Sequence, residues 1–264
     1  MHQETDNKRI QTIDMRRLIK IIFITCIAIQ FLLIFFDYVF NYLDILDDKS
    51  IRRIWNIARE KSIPTWFSSM QAQALGITVF LIAIVQAPYI SRFKTWIWIL
   101  IGMFFLWIGI DDFAEIHEKL GGALERMVKD DESGIILKFL LKNPSFAWHT
   151  FIAPFFALCG LGILFFLWTN FWRLNLMRYL IWGFICWFIA QSIDFTEGLD
   201  DIDEFYKWIQ TSLELEHKYA VSHTSKVIEE LLEMFGTTLL WVGFLSYFAN
   251  VSNGLQIKLD FKTG

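Results

Sequence analysis

Six runs of roughly 20 apolar residues, each the length a helix needs to cross a hydrocarbon core, occupy most of the chain: about Leu18 to Phe40, Trp66 to Ile90, Thr95 to Glu115, Ala147 to Phe171, Met177 to Glu197 and Lys226 to Phe248. In lipid every backbone N–H and C=O must be satisfied within the segment or a closed barrel, so runs of this length are helices. The expected fold is therefore all-α: an integral membrane bundle of six transmembrane helices forming a single domain over residues 1–264. Composition agrees, with 55% hydrophobic residues, 27 Phe and 12 Trp, well outside soluble averages. Cys26, Cys159 and Cys186 all fall inside apolar runs, where a thiol behaves as a small hydrophobe and no disulfide framework is expected. The first run follows a polar, basic stretch and has no small-residue cleavage site after it, so it is expected to stay as an uncleaved span.

The links between runs are unequal. The second and fourth are a few residues long, whereas the first, third and fifth (41–64, 116–146 and 198–225) are long and share the opposite side. The side with both termini and the short links is densely basic, through Lys8, Arg9, Arg16, Arg17, Lys20, Arg92, Lys94, Arg173, Arg178, Lys258 and Lys262. The positive-inside rule makes that side cytoplasmic, so both termini are expected inside and the long links outside. Basic residues at span ends do not form the stripe that nucleic acid requires, so the expected partners are membrane lipids, with self-association or a second membrane protein beyond them. In the fifth link Phe205, Trp208, Ile209 and Leu213 recur near helical spacing among charges, with Leu215 close by, which predicts an amphipathic helix at the outer interface. The stretch Ile51 to Ala58 is expected to behave likewise.

Against these apolar spans the ionisable residues stand out by depth. The third span ends DDFAEIHE, carrying Asp111, Asp112, Glu115, His117 and Glu118; the fourth opens with His149; the fifth ends with Gln191, Asp194 and Glu197; the sixth opens with Lys226, Glu229, Glu230 and Glu233, just after His223. On a continuous helix Asp111, Glu115 and Glu118 share a face and His117 points away. At about 1.5 Å per residue, Asp111, Asp194 and Glu233 each lie roughly 25 Å from the basic side of their own span. Three antiparallel helices thus bring acids to one level, with His149 on the fourth slightly shallower, just inside the outer boundary of a core about 30 Å thick.

A carboxylate at that depth costs up to about 3 kcal/mol on insertion scales unless paired, hydrated or bound to a cation. So many acids cannot all pair with Lys226 and two histidines; either several hold protons or a cation neutralises them. Asp, Glu and His together suit Zn, Mn or Fe. The expected divalent-ion ligands are therefore Asp111, Glu115, His149, Asp194, Glu230 and Glu233, with Glu229 and Asp112 as catalytic carboxylates. His117, Glu118, Glu197, His223 and Lys226 are secondary candidates. Plainer readings exist: His117 and Glu118 suit a solvated helix end, and Glu229 and Glu230 complement a helix dipole. Glu233 and Asp194 lie too deep for either. Ser68, Ser69 and Gln71 open the second span at the same level. Glu214 and His217 form an isolated Glu-x-x-His pair without the second copy that a di-iron bundle needs, and no GxSxG, Walker or Rossmann pattern occurs.

The segment PTWFSS at Pro64 to Ser69, the DD-x4-HE pattern at Asp111 to Glu118 and EELLEMFG at Glu229 to Gly236 resemble an uncharacterised family of bacterial polytopic membrane proteins. The resemblance covers most of the chain. It implies functional weight for Asp111, Asp112, His117, Glu118, Glu229, Glu230 and Glu233, and no particular activity. That family more often has Asp-Glu in its first motif, so Asp112 departs conservatively and keeps a carboxylate. A looser likeness is to the ceramidase-like membrane hydrolases, in which a metal held by histidines and an acid activates water. This chain has too few suitable histidines for a three-His site, so a metal centre here is expected to be richer in carboxylates.

The leading expectation is a metal-dependent hydrolase of a lipid or lipid-linked substrate, using a carboxylate base toward metal-bound water. A cation- or proton-coupled transporter or channel is the alternative, and would need polar groups continuing through the largely Phe, Leu, Ile and Trp inner halves of the spans. A sensor or assembly partner with a structural cation is the third reading.

Overall fold

The computed structural model describes residues 14–43, 45–46, 48–116, 119–120, 122–123, 126, 153–197, 202–212, 214 and 218–252. In chain order the helices are α1 (Met15–Asp37), continued by a π-turn at Tyr38–Tyr42, α2 (Lys49–Trp55), α3 (Ile63–Gln86), α4 (Arg92–Ala114), α5 (Ala153–Arg173), α6 (Met177–Glu197), α7 (Ile202–Ser212) and α8 (Lys218–Val251). Six of them, α1, α3, α4, α5, α6 and α8, are long and apolar enough to cross a membrane. The protein is a multi-pass helical membrane protein. The amphipathic helix of the fifth link is α7.

Helix starts precede the apolar runs by about a turn because polar caps sit just ahead of the lipid-facing stretch. Asp14 accepts from the backbone N–H groups of Arg16 and Arg17, Ser62 from that of Thr65 with Pro64 in the first turn, and Ser91 from that of Lys94. The largest shift is in α8, which begins at Lys218 instead of Lys226. Hydropathy marks the embedded part of a helix, and residues 218–225 extend it by about two turns. The expected beginning of the fourth span, from Ala147, lies outside the described residues.

With lipid around it, a bundle cannot rely on expelling water; close packing and interhelical hydrogen bonds hold it. The core is aromatic. Phe171 stacks on Tyr247 at 4.8 Å and meets Phe244 edge-on at 5.3 Å, while Trp98 stacks on Tyr247 at 5.3 Å and Phe105 meets Phe244 at 5.7 Å. These contacts tie α4, α5 and α8 together toward the basic end. Helix α3 lies along α4, and α8 lies between α3 and α6.

Small residues set the closest approaches. A Cβ added at Gly236 would stand 2.8 Å from the Gly183 carbonyl oxygen, and one at Gly183 would stand 2.7 Å from the Leu240 side chain. Helices α6 and α8 therefore touch backbone to backbone. At the α3–α4 crossing a Cβ on Gly109 would stand 2.7 Å from the Ser69 carbonyl oxygen, and the Ser69 hydroxyl donates to the Gly109 carbonyl.

Helix α1 has only 17% of its span buried; a small apolar cluster around Leu33, Ile57 and Met234 and two polar clamps fix it. Gln30 donates to Thr238 at 2.9 Å, and Gln71 donates to the same hydroxyl at 2.8 Å, joining α1, α3 and α8. One helical level away, Asp37 lies 2.8 Å from Nε2 of His223 and accepts from the backbone N–H of Ile57 at 3.0 Å. Both side chains are buried. Replacing His223 with Ala is expected to cost about 1–3 kcal/mol, the penalty for depriving a buried group of its partner. The readout is the thermal midpoint in detergent; an unchanged midpoint would show that α1 is held without this clamp.

The link from α1 to α3 folds back on α1. Trp55 of α2 packs on Phe36 at 4.5 Å and Phe40 at 6.2 Å, and Ile57 has no exposure. The stretch expected to lie as an interfacial helix at Ile51 to Ala58 is thus a docked helical turn over Lys49–Trp55, because Trp55 and Ile57 find aromatic and aliphatic partners on α1. Helix α7 keeps the expected amphipathic form: Phe205 and Trp208 stack at 6.0 Å and are 52% and 65% exposed, while Tyr206 faces inward. The Tyr206 hydroxyl donates to Glu197 at 3.1 Å and lies 3.1 Å from the Ser225 hydroxyl, pinning α7 to α6 and α8. Burial pushes the Tyr206 hydroxyl up from its ordinary range, Ser225 works against that, and the Glu197 carboxylate adds to it. Tyr206 is therefore a neutral donor at physiological pH. Leu213, Leu215 and His217 lie outside the described residues.

Candidate functional site: a carboxylate-lined cavity

Helix α5 packs into the bundle at the basic end, where Leu167 and Phe171 have no exposure. A cavity of about 1160 Å³ is lined by residues of α3, α4, α5, α6 and α8. Its walls are apolar along Phe156, Leu161, Leu164, Phe184, Ile185 and Phe188. Of these, Leu161 and Phe188 are also 62% and 74% exposed on the bundle flank, so the cavity opens sideways between α5 and α6, in the zone that faces lipid.

The acidic end of the cavity carries Glu60, Asp111, Asp112, Asp194, Glu229, Glu230 and Glu233. Equal depth in the sequence thus becomes adjacency around the bundle for α4, α6 and α8. Lys226, the single cation on the wall among the described residues, donates to Glu229 Oε1 at 2.6 Å and to Asp194 Oδ1 at 3.1 Å. Glu229 is 3% exposed, and its second oxygen, Oε2, is buried with no hydrogen-bond partner. Gln191 donates to Glu233 Oε1 at 2.9 Å, and the Trp187 indole donates to the Glu233 carbonyl at 3.2 Å. Asp112 lies near Ser68, Glu233 and Glu60, while Glu230 lies near Glu233, Asp112 and Lys226. Seven carboxylates against one ammonium leave a strong local excess of negative charge in a largely apolar enclosure.

Other expected site residues fall elsewhere. Glu115 adopts a left-handed conformation at φ 55° where α4 ends, which turns it off the Asp111 face that a continuous helix would have given it. It pairs with Lys61 at 2.9 Å and Lys119 at 3.5 Å. Glu197 serves Tyr206, and His223 serves Asp37. His117, Glu118 and His149 lie outside the described residues. Among the described residues, no three His, Cys, Asp or Glu side chains are grouped so as to hold a metal ion.

The Lys61 hydrogen bond holds the Glu115 carboxyl below its usual range, aided by Lys119 and opposed by partial burial. A depressed carboxylate pKa contributes stability that is present above the unfolded value near 4.5 and is lost as pH falls through the folded value. Lys61 is largely exposed, so the contribution is below about 1 kcal/mol. Glu115→Gln is expected to flatten acid destabilisation below pH 4.5 slightly and to leave ligand binding in the cavity unchanged, measured by thermal melts from pH 3 to 7 beside a binding assay.

Glu60 and Asp37 escaped the sequence reading. Asp37 had a signal, being an acid inside the first predicted span. Glu60 had none, since it sits in a charged link and reaches the cavity only through the fold. The half-buried rungs Trp241 to Thr78 at 3.0 Å and Gln86 to Tyr247 at 2.7 Å run along α3 and α8 toward the basic end.

No curated protein and no solved structure matches the chain. The family model described as Domain of unknown function (DUF8692) matches residues 21–248, and the chain belongs to that family.

Proposed function

We propose that this protein is a metal-dependent membrane hydrolase of a lipid or lipid-linked substrate, working at the acidic end of the cavity. One observation carries the reading: a single cavity joins an apolar wall open to lipid with a dense carboxylate cluster. A substrate chain would enter sideways between α5 and α6 and present its polar part to the acids. A site built only to hold the fold together has no need of a lateral opening. In this reading the acidic end faces outward, by the positive-inside argument, and the membrane is a bacterial inner membrane.

The chain's own residues divide the work as follows. Asp112, which lies near Ser68, is the general base, since Glu229 is occupied on one oxygen by Lys226. Glu230 and Glu233, which neighbour Asp112, would hold a divalent ion such as Zn, Mn or Fe; when bound, the ion would supply a polarised water. The apolar walls limit bulk water and strengthen every charge interaction inside.

A transport reading would require the polar rungs to connect. Gln71 to Thr78 spans about 10 Å and Thr78 to Gln86 about 12 Å, and fully buried Leu75, Val79 and Ile82 fill the intervals. The rungs are better understood as interhelical clamps.

The test is elemental analysis of detergent-purified protein beside a Glu230→Gln, Glu233→Gln double variant, with gel filtration to check folding. About one or two divalent ions per chain, lost in the variant, is the expected result by analogy with one- and two-metal hydrolases. A folded wild-type chain that never carries stoichiometric metal, even after incubation with Zn, Mn or Fe, would overturn metal dependence.

A further inference from the structure

We infer that the cavity selects amphiphiles whose head is a protonated amine, and that it rejects anionic lipids; this names the substrate class of the hydrolase site and rests on that reading. The argument begins with what is missing for an anion. Binding a phosphate or carboxylate head needs unspent cationic donors, normally Arg or Lys forks. Among the described wall residues the only cation is Lys226, and it is committed to Glu229 and Asp194 at 2.6 and 3.1 Å. An anionic head would have to displace those bonds and sit among seven carboxylates. Like charges at such separations in an apolar enclosure repel strongly.

Three features favour a cation. Glu229 lines the cavity, and its Oε2 is buried with no hydrogen-bond partner; a buried acceptor in that state is costly until a donor completes it. An alkylammonium carries three donors and one positive charge, which is the complement of such an acceptor in an anionic surround. Trp187 and Phe188 also line the cavity, and aromatic faces favour ammonium groups. The remaining polar wall residues, Thr65, Ser68, Ser192 and Thr237 among them, are neutral and tolerate either sign.

The apolar arm sets the second half of the specificity. Gly160 lines it, and a Cβ there would already lie 3.4 Å from the Phe184 ring. A larger side chain at Gly160 would therefore narrow the arm without touching the acids.

The experiment is scintillation-proximity binding of tritiated hexadecylamine, hexadecanol and hexadecanoic acid to the full chain in nanodiscs at pH 7.5, with EDTA present so that no divalent ion competes with the amine for Glu230 and Glu233. Wild type is compared with Glu230→Gln, Glu233→Gln and with Gly160→Leu. Hexadecylamine is expected to bind at least about tenfold more tightly than the alcohol, the size of one partly desolvated charge interaction, with the acid weakest. The double Gln variant should bring amine binding down to the level of the alcohol, with folding checked by gel filtration. Gly160→Leu should weaken hexadecylamine and hexadecanol alike but leave octylamine little changed, which separates blockage of the arm from misfolding. Equal affinity for amine and alcohol, tighter binding of the fatty acid, or an amine preference that survives in the double Gln variant would each overturn the inference. Selective amine binding without turnover of any amine-headed lipid would count against the hydrolase alone. Hydrolysis of an anionic lipid, with no amine preference, would overturn the head-group assignment and leave the hydrolase standing.

Discussion

Lys226→Met is expected to destabilise the protein by about 3–5 kcal/mol, the range seen when one partner of a buried ion pair is removed and the other charge is stranded. Two carboxylates lose their partner at once: Glu229, which is 3% exposed, and Asp194 across the α6–α8 interface. The thermal midpoint in detergent should fall steeply. Adding Glu229→Gln and Asp194→Asn to the Met variant should recover much of the loss, because the stranded charges then disappear. A charge-based account requires that recovery; if the triple variant is no more stable than Lys226→Met alone, Lys226 acts through its aliphatic stem and the electrostatic picture of this end of the bundle is wrong.

The second large effect is expected at Gly236. Even one added carbon there would meet the Gly183 carbonyl and the Trp187 ring at 2.8 Å, and Gly236→Leu adds a whole branched side chain. Overpacking of this kind costs about 1–3 kcal/mol or more, and here it must be relieved by moving α6 away from α8. The same movement would break Trp187 from Glu233 and Lys226 from Asp194. Stability and ligand binding should therefore fall together, in contrast to Glu115→Gln, which touches neither interface. A Gly236→Leu variant that melts normally and still binds ligand would mean that the two helices do not cross backbone to backbone. The glycine that closes the EELLEMFG segment thus has a structural role distinct from that of the acids that open it.

The spans and the depth of the acids could be read from the sequence because both depend only on position along one helix: hydropathy marks the embedded length, and a rise of about 1.5 Å per residue fixes the level. Adjacency could not. Asp112 comes near Glu230 and Glu233 because α3 packs on both α4 and α8, with Gly109 letting α4 close on α3, and no periodicity encodes which flank of a helix meets which neighbour. The sharing of a face by Asp111 and Glu115 assumed a continuous helix, and the left-handed turn at Glu115 ends that assumption. Asp37 and His223 are 186 positions apart, and the Gln30, Gln71 and Thr238 clamp joins three separate spans; long-range pairings of single polar residues leave no local signature. The sideways opening was illegible for a related reason. It depends on which flanks of α5 and α6 line the cavity, and hydropathy along a single helix does not say which flank meets which neighbour.

Turnover decides the central claim. Wild-type protein and the Glu233→Gln variant would be reconstituted into liposomes containing amine-headed, neutral and anionic lipids, with a divalent ion supplied, and the released head groups and chains followed over time by mass spectrometry. The account predicts time-dependent hydrolysis of an amine-headed lipid by the wild type, abolished in Glu233→Gln at unchanged folding. Equal product from both proteins, or none from a folded, metal-loaded wild type across all three lipid classes, would contradict it.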